Sequence, residues 1–314
     1  MPYSIAFCGT PNFAVPALES LIEDSDFNIE LVLTQPDRPS GRGKKLKPSP
    51  VKVFAQEHSL EVITPEKVSE ESILNLIKEK KLDAAVVVAY GQILPQTFLD
   101  SFQKGCVNIH SSLLPRWRGA APMQRALMEG DEVTGVSLQK IVKKLDAGDI
   151  IGERVFPLTQ EMGAKELYDQ LSHLGAELIV NEFKQFLEDK IDLKVQDESQ
   201  VTYAKKIMKE EGLIDWSLSA LQIHNKIRGL NMGGPFGYSQ FREKQIKLHS
   251  SRPYEEDHSS QPGDVVEVRK DSFFVACGEG LLELYQVQPE SKAKMLAGDF
   301  IRGYHLQKGD RFGE

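Results

Sequence analysis

Asn108 and His110 stand one residue apart where the apolar run Gly105–His110 meets a loop rich in Ser, Pro and Gly. Side chains in a strand alternate faces, so both project to one side and Ile109 to the other. An amide and an imidazole aimed at one place can donate to a carbonyl oxygen that gains charge as an amine attacks its carbon. Asp146, in Leu145-Asp146-Ala147-Gly148-Asp149, precedes a Gly turn and another strand-like run. A carboxylate there can orient the imidazole, hold its protonated form, or relay the proton lost by the amine. Acyl transfer to an amine needs no Ser or Cys nucleophile, because the amine itself attacks. His110 has no His or Cys at metal-ligand spacing, so no metal is expected. Taken alone the Asn-His pair is a weak signal, since a polar strand end making ordinary turn contacts shows the same pattern.

The elements that must position these residues follow an α/β rhythm. Strands are expected at Ser4–Cys8, Ile29–Thr34, Ala84–Ala89, Gly105–His110, Thr134–Ile141 and Ile150–Phe156, and helices at Val15–Ile22, near Ala121–Glu129 and over Lys165–Asp189. Strands alternating with helices imply a mainly parallel sheet, whose ligand sites lie at the carboxyl ends of its strands. The turn Gly9-Thr10-Pro11-Asn12-Phe13-Ala14 lacks the second and third glycines of a dinucleotide fingerprint, and Pro11 removes a phosphate-binding N–H. That argues against an NAD-dependent oxidoreductase. The pattern loosens into a charged connection at Lys190–Gly212. From Trp216 a helix leads into five short runs, Tyr238–Phe241, Gln245–His249, Gly263–Val268, Phe273–Ala276 and Leu281–Val287, which fit a small β-barrel, OB-like in strand count.

With 314 residues, 40% hydrophobic and 27% charged, the chain has room for two domains. No apolar run reaches the roughly 18 to 20 residues of a membrane span, and the opening Met1–Phe7 is strand-like rather than signal-like, so a cytoplasmic protein is expected. Three scattered cysteines, Cys8, Cys106 and Cys277, suit neither a disulfide framework nor a zinc cluster. Net charge is −8, yet Tyr203–Arg252 holds nine Lys/Arg against four Asp/Glu, and Arg38–Lys52 holds six basic residues and no acid. Local basic surfaces on an acidic protein suit one specific polyanion better than a general nucleic-acid coat. Three prolines and two glycines between Arg38 and Lys52 lead us to expect a mobile arm without regular structure.

The segment Asn108-x-His110-x-Ser112-Leu113-Leu114-Pro115-x-x-Arg118-Gly119-Ala120-x-Pro122, with Thr134-Gly135-Val136 and Leu145-Asp146-x-Gly148-Asp149, closely resembles the folate-dependent formyltransferases. That superfamily includes glycinamide-ribonucleotide transformylase, sugar-nucleotide formyltransferases, formyltetrahydrofolate dehydrogenase and methionyl-tRNA formyltransferase. The resemblance implies Asn108, His110 and Asp146 as the catalytic set, and Ser112, Leu113, Leu114 and Pro115 as the stretch that binds the donor, 10-formyltetrahydrofolate. Three further segments, Phe7–Ala14, Thr34–Lys52 and Val87–Pro95, are similar to the methionyl-tRNA branch, as are Val201–Ile207 and Ile214–Ser217. That branch implies a methionyl initiator tRNA partner whose acceptor end meets the basic segment. Arg38, Arg42, Lys44, Lys45 and Lys47 are its expected contacts, Arg42 foremost, with Lys205, Lys206 and Lys209 continuing the track beside Lys244 and Lys247. It also implies a monomer. The chain departs from the branch after Asn231, where Met232-Gly233-Gly234-Pro235-Phe236-Gly237-Tyr238 replaces a Pro followed by an aromatic-Pro pair.

The expected layout is therefore a Rossmann-like, mainly parallel α/β catalytic domain over 1–189, a linker over 190–212 and a tRNA-binding β-barrel over 213–314. Competing readings are another formyltransferase with a sugar-nucleotide amine acceptor, a formyl-folate hydrolase, and a tRNA-binding module with a spent catalytic half. The basic segment counts against the first two and the intact Asn-His-Asp set against the third.

Overall fold

The computed structural model describes residues 1–40 and 45–313. They form two compact units, one of residues 1–119, 134–156 and 168–204, the other of 120–133, 157–167 and 205–314.

The first unit is built on a seven-stranded sheet in the order Ile150–Pro157, Val133–Lys140, Cys106–His110, Ala84–Val88, Tyr3–Gly9, Phe27–Leu33, Val62–Ile63. Five of these strands run parallel, and Val133–Lys140 joins Cys106–His110 antiparallel. The sheet is the mainly parallel one expected. Its centre reads Ala-Ala-Val-Val-Val because Ala84–Val88 is buried on both faces, where water would reward no polar side chain. Cys8 and Cys106 are ordinary members of this core, and burial pushes both thiols well above the usual range. The helix Val15–Glu23 starts with Pro16 in its first turn, where the missing N–H costs little. Gly175, on the helix Ala164–Leu187, sits so close to the sheet that a Cβ would lie 2.9 Å from Ile109.

The basic segment differs from the expected unstructured arm. Arg38–Ser40 and Lys45–Lys47 pair antiparallel, Arg38 opposite Lys47, and a helix follows at Pro50–Glu57. Ser49 caps that helix by accepting from the Lys52 N–H, and Pro50 supplies a preset φ at its start. Prolines at 39 and 48 therefore punctuate regular elements rather than abolish them. Arg42 and Lys44 lie outside the described residues.

The connection after the long helix is tied to the first unit as far as residue 204. Lys194 exchanges backbone hydrogen bonds with Ile150, and Tyr203–Ala204 pairs with Arg118–Gly119. Residues 120–133 and 157–167, which the sequence reading grouped with the catalytic half, pack within the second unit. There the helices Pro122–Glu129 and Ala220–Gly229 touch closely at Gly229, where a Cβ would lie 2.7 Å from Met128. The helix expected from Trp216 begins at Ala220 instead, because Ser219 and Gln222 form a capping box and Trp216 is buried in the core.

The second unit's sheet is antiparallel, in the order Tyr238–Phe241, Lys244–Tyr254, Leu281–Pro289, Phe273–Ala276, Val265–Val268, with the short Met295–Leu296 beside Leu281–Pro289. The two outer strands are bridged by the chain's last described residues. Gly313 N–H donates to Gln240 on one side, while Phe312 N–H donates to Gly263 and Asp310 accepts from Val265 on the other. Phe312 fills the space between them, stacked on Phe241 and Phe273 with centroids 4.8 and 5.7 Å away. No helix among the described residues is long and apolar enough to cross a membrane.

Candidate active site

The parallel strands Tyr3–Gly9, Ala84–Val88 and Cys106–His110 end at one edge of the first unit's sheet. Their loops are knotted together there. Thr10 donates its hydroxyl to the Tyr90 carbonyl (2.8 Å), and the Gln35 amide reaches the same oxygen at 3.2 Å. His110 and Asn108 arrive at this edge on one strand face, opposite Ser137 and Gln139 in the antiparallel register. The side chains of Asn108, His110, Ser137 and Gln139 therefore share a face, while Ile109 and Leu138 take the other.

His110 is almost fully buried, and its ring is fixed from one side. Its Nε2 lies 2.9 Å from the Trp117 carbonyl, an atom that can only accept, so Nε2 carries hydrogen. The other nitrogen, Nδ1, faces Asp146 Oδ2 at 3.8 Å. Asp146 is itself held by two donors. Gly119 N–H donates to Oδ2 and the Gln139 amide donates to Oδ1, each at 2.9 Å. The Asn108 amide, by contrast, has no hydrogen-bond partner among the described residues and remains available to a ligand.

The backbone here is forced. Ala89, Trp117 and Asp146 have φ of 48°, 65° and 46°, in the left-handed region that L side chains seldom occupy. Such outliers persist where surroundings over-determine them, and functional sites are where they gather. Trp117 is pinned through its N–H to Thr202 Oγ1 (2.9 Å) as well as through its carbonyl to His110. Gly148 has no alternative, since a Cβ would lie 1.6 Å from the Lys140 carbonyl oxygen.

Sequence reasoning missed the support beneath the carboxylate. Gln196, in the stretch read as a linker, is buried and donates to the backbone carbonyls of Asp146 (2.9 Å) and Gly148 (2.7 Å). Its own carbonyl accepts from Nε and Nη2 of Arg118, at 3.0 and 2.8 Å. Arg118 is completely buried, and beyond Gln196 its Nη2 reaches Glu198 at 3.0 Å. Lys144 and Arg118 together hold the Glu198 carboxyl below its usual range. The turn bearing Asp146 thus rests on Gln196, and Gln196 rests on a buried cation.

The loop Ser112–Pro115 begins beside His110. Ser137 Oγ accepts from the Leu114 N–H at 3.0 Å and lies 2.8 Å from the Ser112 carbonyl, while the Ser112 hydroxyl donates to the Arg116 carbonyl. Ser112 and Leu114 are buried by these ties, which leaves Leu113 and Pro115 half-exposed as an apolar wall.

Of the expected tRNA contacts in the first unit, Arg38 pairs with Glu66 at 2.9 Å, with both side chains mostly exposed. Lys45 and Lys47 are exposed on the paired segment. Lys205, Lys206 and Lys209 are exposed in the second unit.

Comparison with known proteins gives a family. Residues 3–183 match the formyl transferase family, and residues 206–305 match the formyl transferase C-terminal domain. The chain is 49% identical over 313 residues to a methionyl-tRNA formyltransferase of Bdellovibrio bacteriovorus, covering 98% of each chain. It is 43% identical over 310 residues to the methionyl-tRNA formyltransferase of Methylobacillus flagellatus, covering 98% of this chain and 99% of that one. Among solved structures, the sugar 3N-formyl transferase WlaRD, crystallised with dTDP and 5-N-formyl-THF, is similar in fold, with a TM-score of 0.68, 18% identity and coverage of 93% of this chain and 100% of that one. An N-formyltransferase of Helicobacter canadensis, in complex with folinic acid and dTDP-3-aminofucose, gives a TM-score of 0.67 at 18% identity over 94% and 100% of the two chains. With an Asn-His-Asp edge on a mainly parallel sheet and both family domains matched in order, the chain belongs to the formyl transferase family.

Proposed function

We propose that this chain transfers the formyl group of 10-formyltetrahydrofolate to the α-amino group of methionyl initiator tRNA. The observation that carries the reading is identity of 49% and 43% to methionyl-tRNA formyltransferases over 98% of this chain.

In the reaction a bond forms between the amine nitrogen and the formyl carbon, the bond from that carbon to the donor nitrogen breaks, and the amine's proton passes to the departing nitrogen. The donor supplies an activated one-carbon unit and nothing more. The protein's part is to hold the carbonyl oxygen, the amine and the proton. The unengaged Asn108 amide donates to the oxygen as charge builds on it, an interaction stronger in the transition state than before it. His110 cannot offer Nε2–H freely, since that proton is committed to the Trp117 carbonyl. Its role falls to Nδ1, which takes a proton against the carboxylate of Asp146. The acceptor must arrive as free amine, and an α-amino group has an ordinary pKa of about 7.7 to 8.0, so a nearby base is useful at neutral pH. Leu113 and Pro115 provide an apolar wall that fits a flat pterin ring.

The first unit carries this chemistry. The basic residues Arg38, Arg42, Lys44, Lys45 and Lys47 meet phosphates of the acceptor end, and Lys205, Lys206 and Lys209 serve the same polyanion from the second unit. We assign the enzyme to the cytoplasm, as a monomer. The deciding experiment is a formyl-transfer assay with 10-formyltetrahydrofolate and methionyl initiator tRNA, read as N-formylmethionyl-tRNA. Failure to formylate it, with turnover on an amino sugar nucleotide instead, would overturn the assignment.

A further inference from the structure

The second unit holds a pocket of about 470 Å³ that the chemistry above does not use, lined by Lys209, Gly233–Phe236, Tyr238, Gln245 and Lys247. Its size falls within the range of sites that enclose a small organic group. Its construction is specific.

Tyr238 stands directly opposite Lys247 in the antiparallel register, so the two side chains rise on the same face. The Phe236 ring is backed by the His249 imidazole, with centroids 4.8 Å apart. His249 is buried, donates to Gln288 at 3.1 Å and is kept neutral by burial, which lowers its pKa from 6.5. Phe236 is therefore fixed from behind. Its other surroundings include the Lys247 ammonium, 5.3 Å from the ring centroid. Gly233 and Gly234, at φ of 73° and 71°, form a rim, and a Cβ on Gly233 would meet nothing within 4 Å. Gly212 completes the arrangement. A Cβ there would lie 2.5 Å from the Phe236 carbonyl oxygen and 3.1 Å from the Tyr238 ring, so only glycine lets the turn Lys209–Gly212 lie against this segment. That turn brings Lys209 to the pocket.

The charge is as selective as the shape. Among the described residues no carboxylate lines the pocket, in a chain whose net charge is −8. Neither Lys209 nor Lys247 has an ion-pair partner among the described residues. Two uncompensated ammonium groups beside an anchored aromatic ring suit a flat base with a phosphate next to it. A base can enter only when it is splayed out of its helical stack, as in a loop or a single-stranded end.

We propose that this pocket binds one unstacked nucleotide of the tRNA substrate, with its base against Phe236 and Tyr238, its edge met by the Gln245 amide, and its flanking phosphates on Lys209 and Lys247. The inference rests on the tRNA reading given above.

The test is the Kd for methionyl-tRNA of the full chain and its Phe236→Ala, Phe236→Tyr and Lys247→Gln variants, each checked for an intact melting transition. Phe236→Ala weakens binding by about 5- to 150-fold, the usual scale for one base stack, and Phe236→Tyr keeps it near the parent. Lys247→Gln lowers the slope of log Kd against log salt by about 1. A folded Phe236→Ala protein with unchanged tRNA affinity overturns the proposal. So does an equal loss on a blunt RNA duplex, which offers no unstacked base. AMP serves as the probe for a free nucleotide, and micromolar AMP binding that depends on Phe236 while tRNA binding does not would assign the pocket to a small ligand instead. If the parent protein fails to formylate methionyl-tRNA at all, the acceptor reading falls, a result distinct from failure of the pocket.

Discussion

Replacing Gln196 by Met keeps the side chain's length and approximate volume while deleting its amide. The structure says what is then stranded. The carbonyls of Asp146 and Gly148 each lose a donor, and Arg118 Nε loses its acceptor. Arg118 Nη2 retains only Glu198, and its Nη1 has no hydrogen-bond partner among the described residues to begin with. A buried polar group left unsatisfied costs about 1–3 kcal/mol, and three such groups set an upper range of roughly 3–9 kcal/mol. Water entry and relaxation reduce that, so a loss of about 3–5 kcal/mol is expected, comparable to breaking a buried ion pair. Urea unfolding measures it, as a lower midpoint at an unchanged slope. Activity should suffer beyond the stability loss, because an ångström of drift in the Asp146 turn is worth about 10²-fold in turnover. Glu198→Gln is the control. That carboxylate is 59% exposed, and its removal should matter far less. A Gln196→Met protein within about 1 kcal/mol of the parent, with parental turnover, would refute the idea that this amide supports the catalytic turn.

Three other outcomes are expected. Asn108→Ala should lower kcat by about 10²- to 10³-fold with the fold intact, and near-parental turnover would remove the amide from the mechanism. Lys45→Gln combined with Lys47→Gln should weaken methionyl-tRNA binding and reduce its salt slope by about 2, whereas an unaltered slope would mean that these lysines touch no phosphate. Stability should fall as pH drops through about 6.5, because burial lowers the pKa of His224 and His249 from that value. Unfolded imidazoles bind protons in this window while the folded ones do not, so the unfolded state gains. The loss levels off once pH passes below the folded-state values. Denaturation at pH 7.5 and 5.5, compared with a His224→Gln, His249→Gln double variant, reads the effect, and an equal pH dependence in both proteins would contradict it.

Much of the fold was legible because its signals are local. Ala84–Val88 declares a buried strand by composition, and the spacing of Asn108 and His110 declares a shared face by period. Asp146 could be placed at a loop from the adjoining Gly turn. Gln196 could not, since it lies 50 residues from Asp146 in a charged stretch with no periodicity, and its role exists only through tertiary contact. Gln139 was hidden for a similar reason, as its part follows from cross-strand pairing with Asn108. The helix Glu71–Lys80 carries Ile73, Leu74, Leu76 and Ile77 at helical spacing, but its many charges mask that stripe in the sequence. The paired basic segment shows the limit of composition. Proline and glycine counts speak against long strands, not against three-residue ones held by a cross-strand partner.

The bridging of the second unit's outer strands by residues 309–313 has a consequence for solubility. An open antiparallel sheet offers bare N–H and C=O groups to any passing strand, the usual route to edge-to-edge aggregation. Here Tyr238–Phe241 and Val265–Val268 spend such groups on Gln240, Gly263 and Val265 contacts with the same short peptide. A protease cut just before Lys308 should therefore do more than loosen a terminus, leaving two sticky margins and the cavity that Phe312 had filled.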